Sequence, residues 1–587
     1  MQTPYFHQFY DREPPVFAPI SSRRRLIWQL FAGLTLGLGT WYIVWRWQHS
    51  INAEALLFSC TVALCETLAL VGSALFFYDI WDEGDTEPVP IAQKQTRGAN
   101  LDGRRTTVDV FITTFDEAEE IVAATILAAK KVNVASFIDY KVYLLDDGNR
   151  IGMSVLAKKH EVGYFARTDN RGFKAGNLAN AIFKTDGDFF IVCDADTQLM
   201  PSFLSNTLGY LEDQKVSWVQ TPHWFYDLPE GRTWRDIFQV RMGAFSRFLP
   251  RFARFLTGTD AFGKDHFLSN ASLFFDVIQR RRNRNGASFC CGAASIHRRE
   301  AVMENALIEK GKKIGEICKA SRNASALNIS PRIDLKPFEY HVSEDILTSI
   351  QAHSNGWRSV FHPQVEAKML SPWTASAWAI QRLKYAGGTF DILLNANPIF
   401  EKGMSVKVKL HYLATFWSYL SVFFFAVLMF APVWSLVSGT APVQAYSLEF
   451  FAHLIPVLVC NEIAMLASCK GYSHNCARVL AVGTIAIQMR AFFLVLLGRR
   501  PKFPPTPKVP SAVQDIRHAL PSIAFLIIFF ASVLWGGVAL LLGLDGYSPF
   551  FVLINGFWIL WSSTALIRMI YATSFCPTLR LTTQKIE

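Results

Sequence analysis

The sequence predicts an α/β domain with a mostly parallel sheet, inserted in a polytopic α-helical membrane domain of about six spans. Three observations predict this. Six apolar runs are each long enough to cross a hydrocarbon core of roughly 30 Å. Lys and Arg are absent from the connections at 438–446 and 544–548, yet abundant before 26, between 80 and 405 and from 470 to 519. From 106 onward, strand-type and helix-type stretches alternate, the pattern of βα units. A chain of 587 residues that is 51% hydrophobic, 14% aromatic and 18% charged suits a membrane protein that also carries a soluble domain.

The N-terminal segment 1–25 lacks a cleavable signal pattern, because the first apolar run is too long and follows Arg23–Arg25. Two spans come early, near 26–45 and 56–78, and four late, near 411–437, 447–468, 521–543 and 549–571. The distribution of Lys and Arg places both termini and the central region in the cytoplasm. Arg478, Arg490 and Arg499–Arg500 flank or interrupt the run 478–498, which therefore reads as an interfacial helix and not as a seventh span. The expected organisation is two spans in 26–78, a cytosolic domain over 95–370 and interface helices over 371–405. Two spans in 406–468, an interfacial helix with a loop over 469–520, two spans in 521–571 and a tail over 572–587 complete it. Glu66 and Glu462 fall inside spans, either as residues satisfied between packed helices or as the polar lining of a pathway.

Within the central region, VDVFITT (108–114), KVYLL (141–145), FFIVC (189–193) and SWVQT (217–221) read as strands. The stretches 117–131, 174–185 and 202–213 read as the intervening helices. Ligands of such sheets gather at the carboxyl ends of the strands. There the sequence places Thr113, Thr114 and Asp116, then Asp146–Asp147–Gly148, then Asp194–Ala195–Asp196. If strand geometry persists, Asp194 and Asp196 point to one side; paired hard carboxylates suit Mg²⁺ or Mn²⁺, which keep open positions for phosphate oxygens. Lys174, at a helix start, is placed to meet a phosphate or simply lies on the surface. Ser343–Glu344–Asp345 opens a further helix, with Ser343 as its cap and the acids favoured by the dipole. Asp345 is also a candidate general base.

Downstream, AIQRLKYAGG (379–388) sets Gln381, Lys384 and Tyr385 at i, i+3 and i+4, on one helical face close to the membrane. Ser371 and Pro372 suggest its start, and Gly387–Gly388 its end. The net charge of +10 is spread beside spans and in loops, so it speaks for membrane topology, with no nucleic acid expected. The ten cysteines are scattered without metal-ligand spacing and read as reduced thiols.

Taken in order, TTFDE (113–117), LDDG (145–148), KAGN (174–177), DAD (194–196), QTPHWF (220–225), FCCGA (289–293), SED (343–345), QRLKY (381–385) and FPPTPK (503–508) carry a resemblance. The set resembles the processive family 2 glycosyltransferases, with bacterial cellulose synthase and curdlan-type relatives the nearest pattern. The resemblance implies a cytosolic GT-A domain on a membrane channel, polymerising a β-glucan from UDP-glucose with inversion and moving the polymer across the inner membrane. It implies donor contacts from Thr113, Thr114, Asp116, Asp146, Asp147, Lys174, Asp194, Gln381 and Lys384, and Mg²⁺ or Mn²⁺ held by Asp194 and Asp196. It further implies catalysis by Asp345 with Glu344, acceptor contacts from Cys291, Gly292, His223 and Tyr385, and a gating loop with Phe503, Thr506 and Lys508. The implied partners are the UDP-sugar, the growing polysaccharide and the lipid membrane, with room for a periplasmic or membrane accessory subunit. A crossing glycan would also give Glu66 and Glu462 a role.

The pattern departs from its relatives in SED for TED, FCCGA for FFCGS and QxxKY for QxxRW. Lys384 exchanges a bidentate fork for a point charge, and Tyr385 is a smaller stacking platform than Trp. The basic stretch 309–322 lies in a segment longer than in typical relatives and reads as a solvated insertion. About sixteen residues follow the last span, too few for the C-terminal PilZ domain that binds cyclic-di-GMP in many cellulose synthases. These departures shift the expectation from cellulose towards a (1→3) or mixed-linkage glucan. Transfer of another sugar such as N-acetylglucosamine, addition of few sugars to a lipid acceptor, and a silent channel subunit are the alternatives.

Overall fold

The computed structural model describes residues 4–89, 106–228, 232–242, 248–257, 261–262, 271–321, 334–472, 474–498 and 516–574. The helices α1 (Ser22–His49) and α2 (Leu56–Asp79) come first. The α/β domain then runs β1 (Thr106–Thr114), α3 (Glu119–Lys130), β2 (Ile138–Asp146), α4 (Ile151–Lys159), β3 (Gly163–Ala166), α5 (Phe173–Ile182) and β4 (Phe189–Asp194). It continues with β5 (Gln198–Leu199), α6 (Phe203–Thr207), β6 (Val216–Gln220), β7 (His223–Phe225) and β8 (Arg232–Thr233). Next are α7 (Trp234–Met242), α8 (Leu249–Thr257), β9 (Ala261–Phe262), α9 (Arg280–Arg282), β10 (Ser295–Arg298) and α10 (Arg299–Ser321). The domain ends with α11 (Glu344–Ser354), β11 (Arg358–Phe361), β12 (Ala367–Met369) and α12 (Ala375–Asn395).

The main sheet has seven strands in the order β11-β6-β10-β4-β1-β2-β3. It is parallel except for β10, which runs antiparallel to both neighbours. Its central strand shows why the sequence reads as a continuous apolar run. Val108, Val110 and Ile112 bury into the core on one face, against Val122 and Ile126 of α3. Phe111 turns to the other face, against Leu178 and Ile182 of α5. A strand buried on both sides needs apolar residues of both parities. Register places Thr113 opposite Asp194 and Thr114 opposite Asp146, so the carboxyl ends of β1, β2 and β4 form one row. A smaller sheet, β5-β12-β7, lies beyond β4.

Beyond α12 come α13 (Val406–Ser438), α14 (Leu448–Ser468), α15 (Asn475–Gly483), α16 (Ile485–Leu496), α17 (Leu520–Leu541) and α18 (Pro549–Ser574). Among the described residues six helices are long and apolar enough to cross a membrane, matching the expected number. The ambiguous run 478–498 is the pair α15–α16, bent by 53°.

Several local expectations are corrected. The helix carrying Gln381, Lys384 and Tyr385 is capped by Thr374, whose hydroxyl accepts from Ala377 N at 3.1 Å, and not by Ser371. Gly387–Gly388 does not end it, because α12 continues to Asn395. A Cβ on Gly388 would stand 2.0 Å from Ser343 Oγ, so this glycine permits close approach to the loop before α11. Ser343 does occupy the N-cap position of α11, but its hydroxyl makes no capping bond; His341 Nδ1 accepts from its backbone N–H at 2.9 Å. Glu66 meets the fully buried Arg46 at 3.1 Å, and Glu462 meets His474 at 2.9 Å. Both carboxylates therefore have protein partners, and no crossing polymer is needed to account for them.

Candidate active site

The row of strand ends places its side chains unequally. β4 stops at Asp194 and the chain turns, so strand geometry does not persist through the DAD stretch. Asp194 is 41% exposed, whereas Asp196 is buried and accepts from Leu370 N at 3.0 Å. The expected side-by-side pair is thus one exposed carboxylate and one committed to the segment after β12.

Lys174, in the first turn of α5, reaches across to this row. Its ammonium donates to Asp194 Oδ1 and, at 2.6 Å, to the carbonyl of Gly292. Burial opposes the charge, but Asp194, Glu344 and Asp345 outweigh it and hold the ammonium firmly protonated. Gly292 adopts φ +84°, a conformation that favours glycine, and a Cβ there would lie 3.3 Å from Asp345 Oδ2. Asp345 stands in the first turn of α11 with Oδ1 on Ile346 N at 2.8 Å. Burial, with Glu344 beside it, pushes Asp345 up to about 7, against the Ile346 amide and the Lys174 and Lys384 ammonium groups. The fold has therefore gathered Lys174, Asp194, Gly292, Glu344, Asp345 and Lys384 from five separate segments.

The remaining predicted residues fall into several groups. Asp147 and Asp116 line a cleft of about 650 Å³ together with Phe115, Arg150, Arg167 and Thr168. Asp147 pairs with Arg167 at 2.6 Å, and burial pushes it up to about 6 against that partner. Thr113, Thr114 and Asp146 are buried at the strand ends. Thr113 Oγ1 donates to Cys193 O, and Thr114 binds Glu117 and Arg150. Asp146 accepts from Gly148 N, Arg150 N and Tyr164 OH, because the turn after β2 needs an acceptor for its amides.

Cys291 lies within the FCCGA turn, and His223 meets that turn at Ala293. The imidazole of His223 lies 2.9 Å from Ala293 O, and burial holds it below its usual pKa. The Cys291 thiol accepts from Gln279 Nε2 at 3.2 Å. Gln381, Lys384 and Tyr385 share α12, with the Tyr385 ring 44% exposed. Phe503, Thr506 and Lys508 lie outside the described residues.

Two positioning residues escape a reading of the sequence. Gln220, fully buried, accepts from Cys291 N at 2.8 Å and donates to Ala293 O at 2.9 Å, so it holds both sides of Gly292. His341 bridges Ser343 N and Asp391 of α12 at 2.9 Å each. An amide or imidazole in a loop carries no local pattern; the only hint is that Gln220 begins QTPHWF.

The donor set fits a hard divalent cation. Asp194 offers an open carboxylate at a point where the protein already concentrates negative charge around the Lys174 cation. Among the described residues no three His, Cys, Asp or Glu side chains form a cage. Such an ion would be held by Asp194, with Asp196 buried on Leu370 N, and it would supply Lewis-acid stabilisation of a departing phosphate.

A mostly parallel sheet with this cluster at its strand ends, set between membrane helices, defines a class. The chain resembles the family 2 glycosyltransferases: the profile described as Glycosyl transferase family 2 matches residues 109–305, and that described as Cellulose synthase matches 338–470. Within that class its relatives are bacterial cellulose synthases. Cellulose synthase 1 of Komagataeibacter xylinus is 25% identical over 548 residues, covering 92% of this chain and 31% of the relative. The UDP-forming cellulose synthase catalytic subunit of Pseudomonas fluorescens (strain SBW25) is 26% identical over 449 residues, covering 76% of this chain and 50% of the relative. The chain thus spans half or less of the length of these two relatives. Among solved structures, a mannosyltransferase from Pyrobaculum calidifontis in complex with GDP-Man and Mn²⁺ aligns with a TM-score of 0.41 at 14% identity, covering 70% of this chain and 98% of that one.

Proposed function

We propose that the protein is a processive, inverting glycosyltransferase that builds a β-glucan from UDP-glucose and passes it outward across the inner membrane. The observation that carries this reading is the convergence of Lys174, Asp194, Gly292 and Asp345 at one point beside α12, which borders the membrane helices. In this reading the catalytic domain and both termini face the cytoplasm, where UDP-sugars are made.

Asp345 takes the proton of the acceptor hydroxyl as that oxygen bonds to C1 of the donor sugar. The bond from C1 to the diphosphate oxygen breaks, and UDP leaves with the electron pair. One base and cationic help for the leaving group are sufficient, and no covalent intermediate is needed. Lys174 and Lys384 face the diphosphate, and the cleft of Asp147 and Arg167 takes the nucleoside. Gly292 lets the backbone approach Asp345 without a side chain in the acceptor's path. Asp194 would hold Mg²⁺ or Mn²⁺, which when bound would help to neutralise the diphosphate.

The test is to incubate membranes with labelled UDP-sugars and a divalent cation, size the product and analyse its linkages. A long β-glucan from UDP-glucose supports the reading. A product of one or a few sugars, or a polymer from UDP-N-acetylglucosamine alone, replaces it with a narrower or different transferase. No product from any UDP-sugar in active membranes sinks it.

A further inference from the structure

The N-terminal segment ahead of α1 is expected to be a plain cytoplasmic lead-in, yet it is folded against the catalytic domain. Phe6 is buried in a cluster with Ile121, Tyr226 and Leu370. Tyr10 stacks on Tyr226 at 5.9 Å with ring planes 4° apart, and Arg12 donates to Tyr226 O at 2.9 Å. Phe17 is buried, and its carbonyl accepts from Arg280 at 3.0 Å. The segment thus forms a strap from α1 to the smaller sheet.

The strap ends on a buried carboxylate. Asp227 accepts from Tyr5 OH at 3.1 Å, from Trp373 Nε1 at 2.7 Å and from Ser371 N at 2.9 Å. The Tyr5 and Trp373 rings meet edge to face at 5.7 Å. One residue earlier, Leu370 N donates to Asp196, so two consecutive amides are pinned by two carboxylates. One residue after Trp373, Thr374 caps α12. Donors to a buried carboxylate are charge-assisted and directional, so together they determine where the chain enters the helix.

We propose that Tyr5, acting through Asp227 and Trp373, is a positioning residue that sets the direction of α12 and with it the placement of Lys384. Lys384 lies ten residues into the helix, roughly 15 Å along its axis. A tilt of about 4° at the first turn therefore moves it by about 1 Å, a displacement that can lower a rate about 10²-fold. The strap is continuous with α1, so it ties the reacting face of α12 to the membrane domain through the N-terminus. Nothing in PYFHQFYDREPPVF marks this, because the contact is made across 222 residues of sequence.

This inference rests on the transferase reading for its effect on rate, and its test separates the two. Tyr5→Phe keeps the ring and removes one donor, Tyr5→Ala removes both, and Asp227→Asn weakens the whole node. In purified full-length protein the expected kcat falls about 2–5-fold for Tyr5→Phe and 10-fold or more for Tyr5→Ala, with the donor KM unchanged. The acid limb of the rate profile should also move to higher pH. Asp345 is faced by Glu344, Lys174 and Lys384, and withdrawing Lys384 removes a charge that favours its ionised form. Hydrogen exchange supplies a readout independent of activity: amides in the first two turns of α12 should exchange several-fold faster in all three variants. Unchanged exchange there, or normal kcat and pH profile in folded Tyr5→Ala, overturns the proposal. An inactive wild type with faster exchange in the variants overturns the transferase reading and leaves the strap standing.

Discussion

The Lys174 ammonium and the Gly292 carbonyl meet at 2.6 Å, joining α5 to the turn that faces Asp345. The same ammonium rests on Asp194. A single cation therefore connects the strand-end carboxylate to the loop beside the candidate base. This contact makes the site one electrostatic unit, in which a change at any member is felt by the others.

Asp345→Asn should lower transfer by about 10²–10⁴-fold, the usual contribution of a positioned base. UDP binding, measured by calorimetry, should change little, since Asp345 faces the acceptor side through Gly292. Substantial remaining turnover would show that another group takes the proton.

The pH dependence follows from the raised pKa of Asp345. The base works when ionised, so kcat/KM should rise with pH through an apparent pKa of about 7. Stability should move the other way. A carboxyl whose folded pKa is raised contributes stability fully below its unfolded pKa of about 4, and loses that contribution as pH rises through about 7. Asp345→Asn should flatten both trends, as rate profiles and denaturant titrations at several pH values will show.

Removal of divalent cations with a chelator should abolish transfer, and Mn²⁺ or Mg²⁺ should restore it. Asp194→Asn should weaken Mn²⁺ binding, read by electron paramagnetic resonance with UDP present. Loss of an outer-shell partner costs roughly 10–100-fold in affinity, and loss of a direct ligand should cost at least that. Unchanged Mn²⁺ affinity would assign the ion elsewhere.

Gly388→Ala should be damaging despite lying within a helix, where alanine is ordinarily favoured. Its Cβ would fall 2.0 Å from Ser343 Oγ, forcing α12 away from the loop before α11. Overpacking of this kind costs about 1–3 kcal/mol, and activity should fall as Lys384 recedes from Asp345. Adding Ser343→Gly should recover most of both losses, and a double mutant no better than the single one would refute the steric account.

Much of this protein is legible in one dimension. The six spans follow from run length and apolar content, since lipid demands that each segment satisfy its own backbone. The strands of the central sheet follow from apolar runs bounded by turn residues, and their carboxyl ends locate Asp194 and Asp147, while Lys174 stands at a helix start. The ordered motifs carry a family resemblance, which the profile matches bear out. What the sequence determines by itself is therefore the set of elements, their order and the side chains at their ends.

Only the tertiary structure decides which of those side chains reach the cleft. Asp194 is open while Asp196 is tied to Leu370, and Asp147 lines a cleft while Asp146 is consumed by its own turn. Likewise Gly388 reads locally as a helix terminator, yet it is a contact surface for Ser343. Tyr5 reads as tail, yet it binds Asp227 beneath α12. The physical reason is the same in each case. Local propensity and period depend on residues a few positions apart, whereas burial and hydrogen-bond partners depend on which distant segments come to pack together.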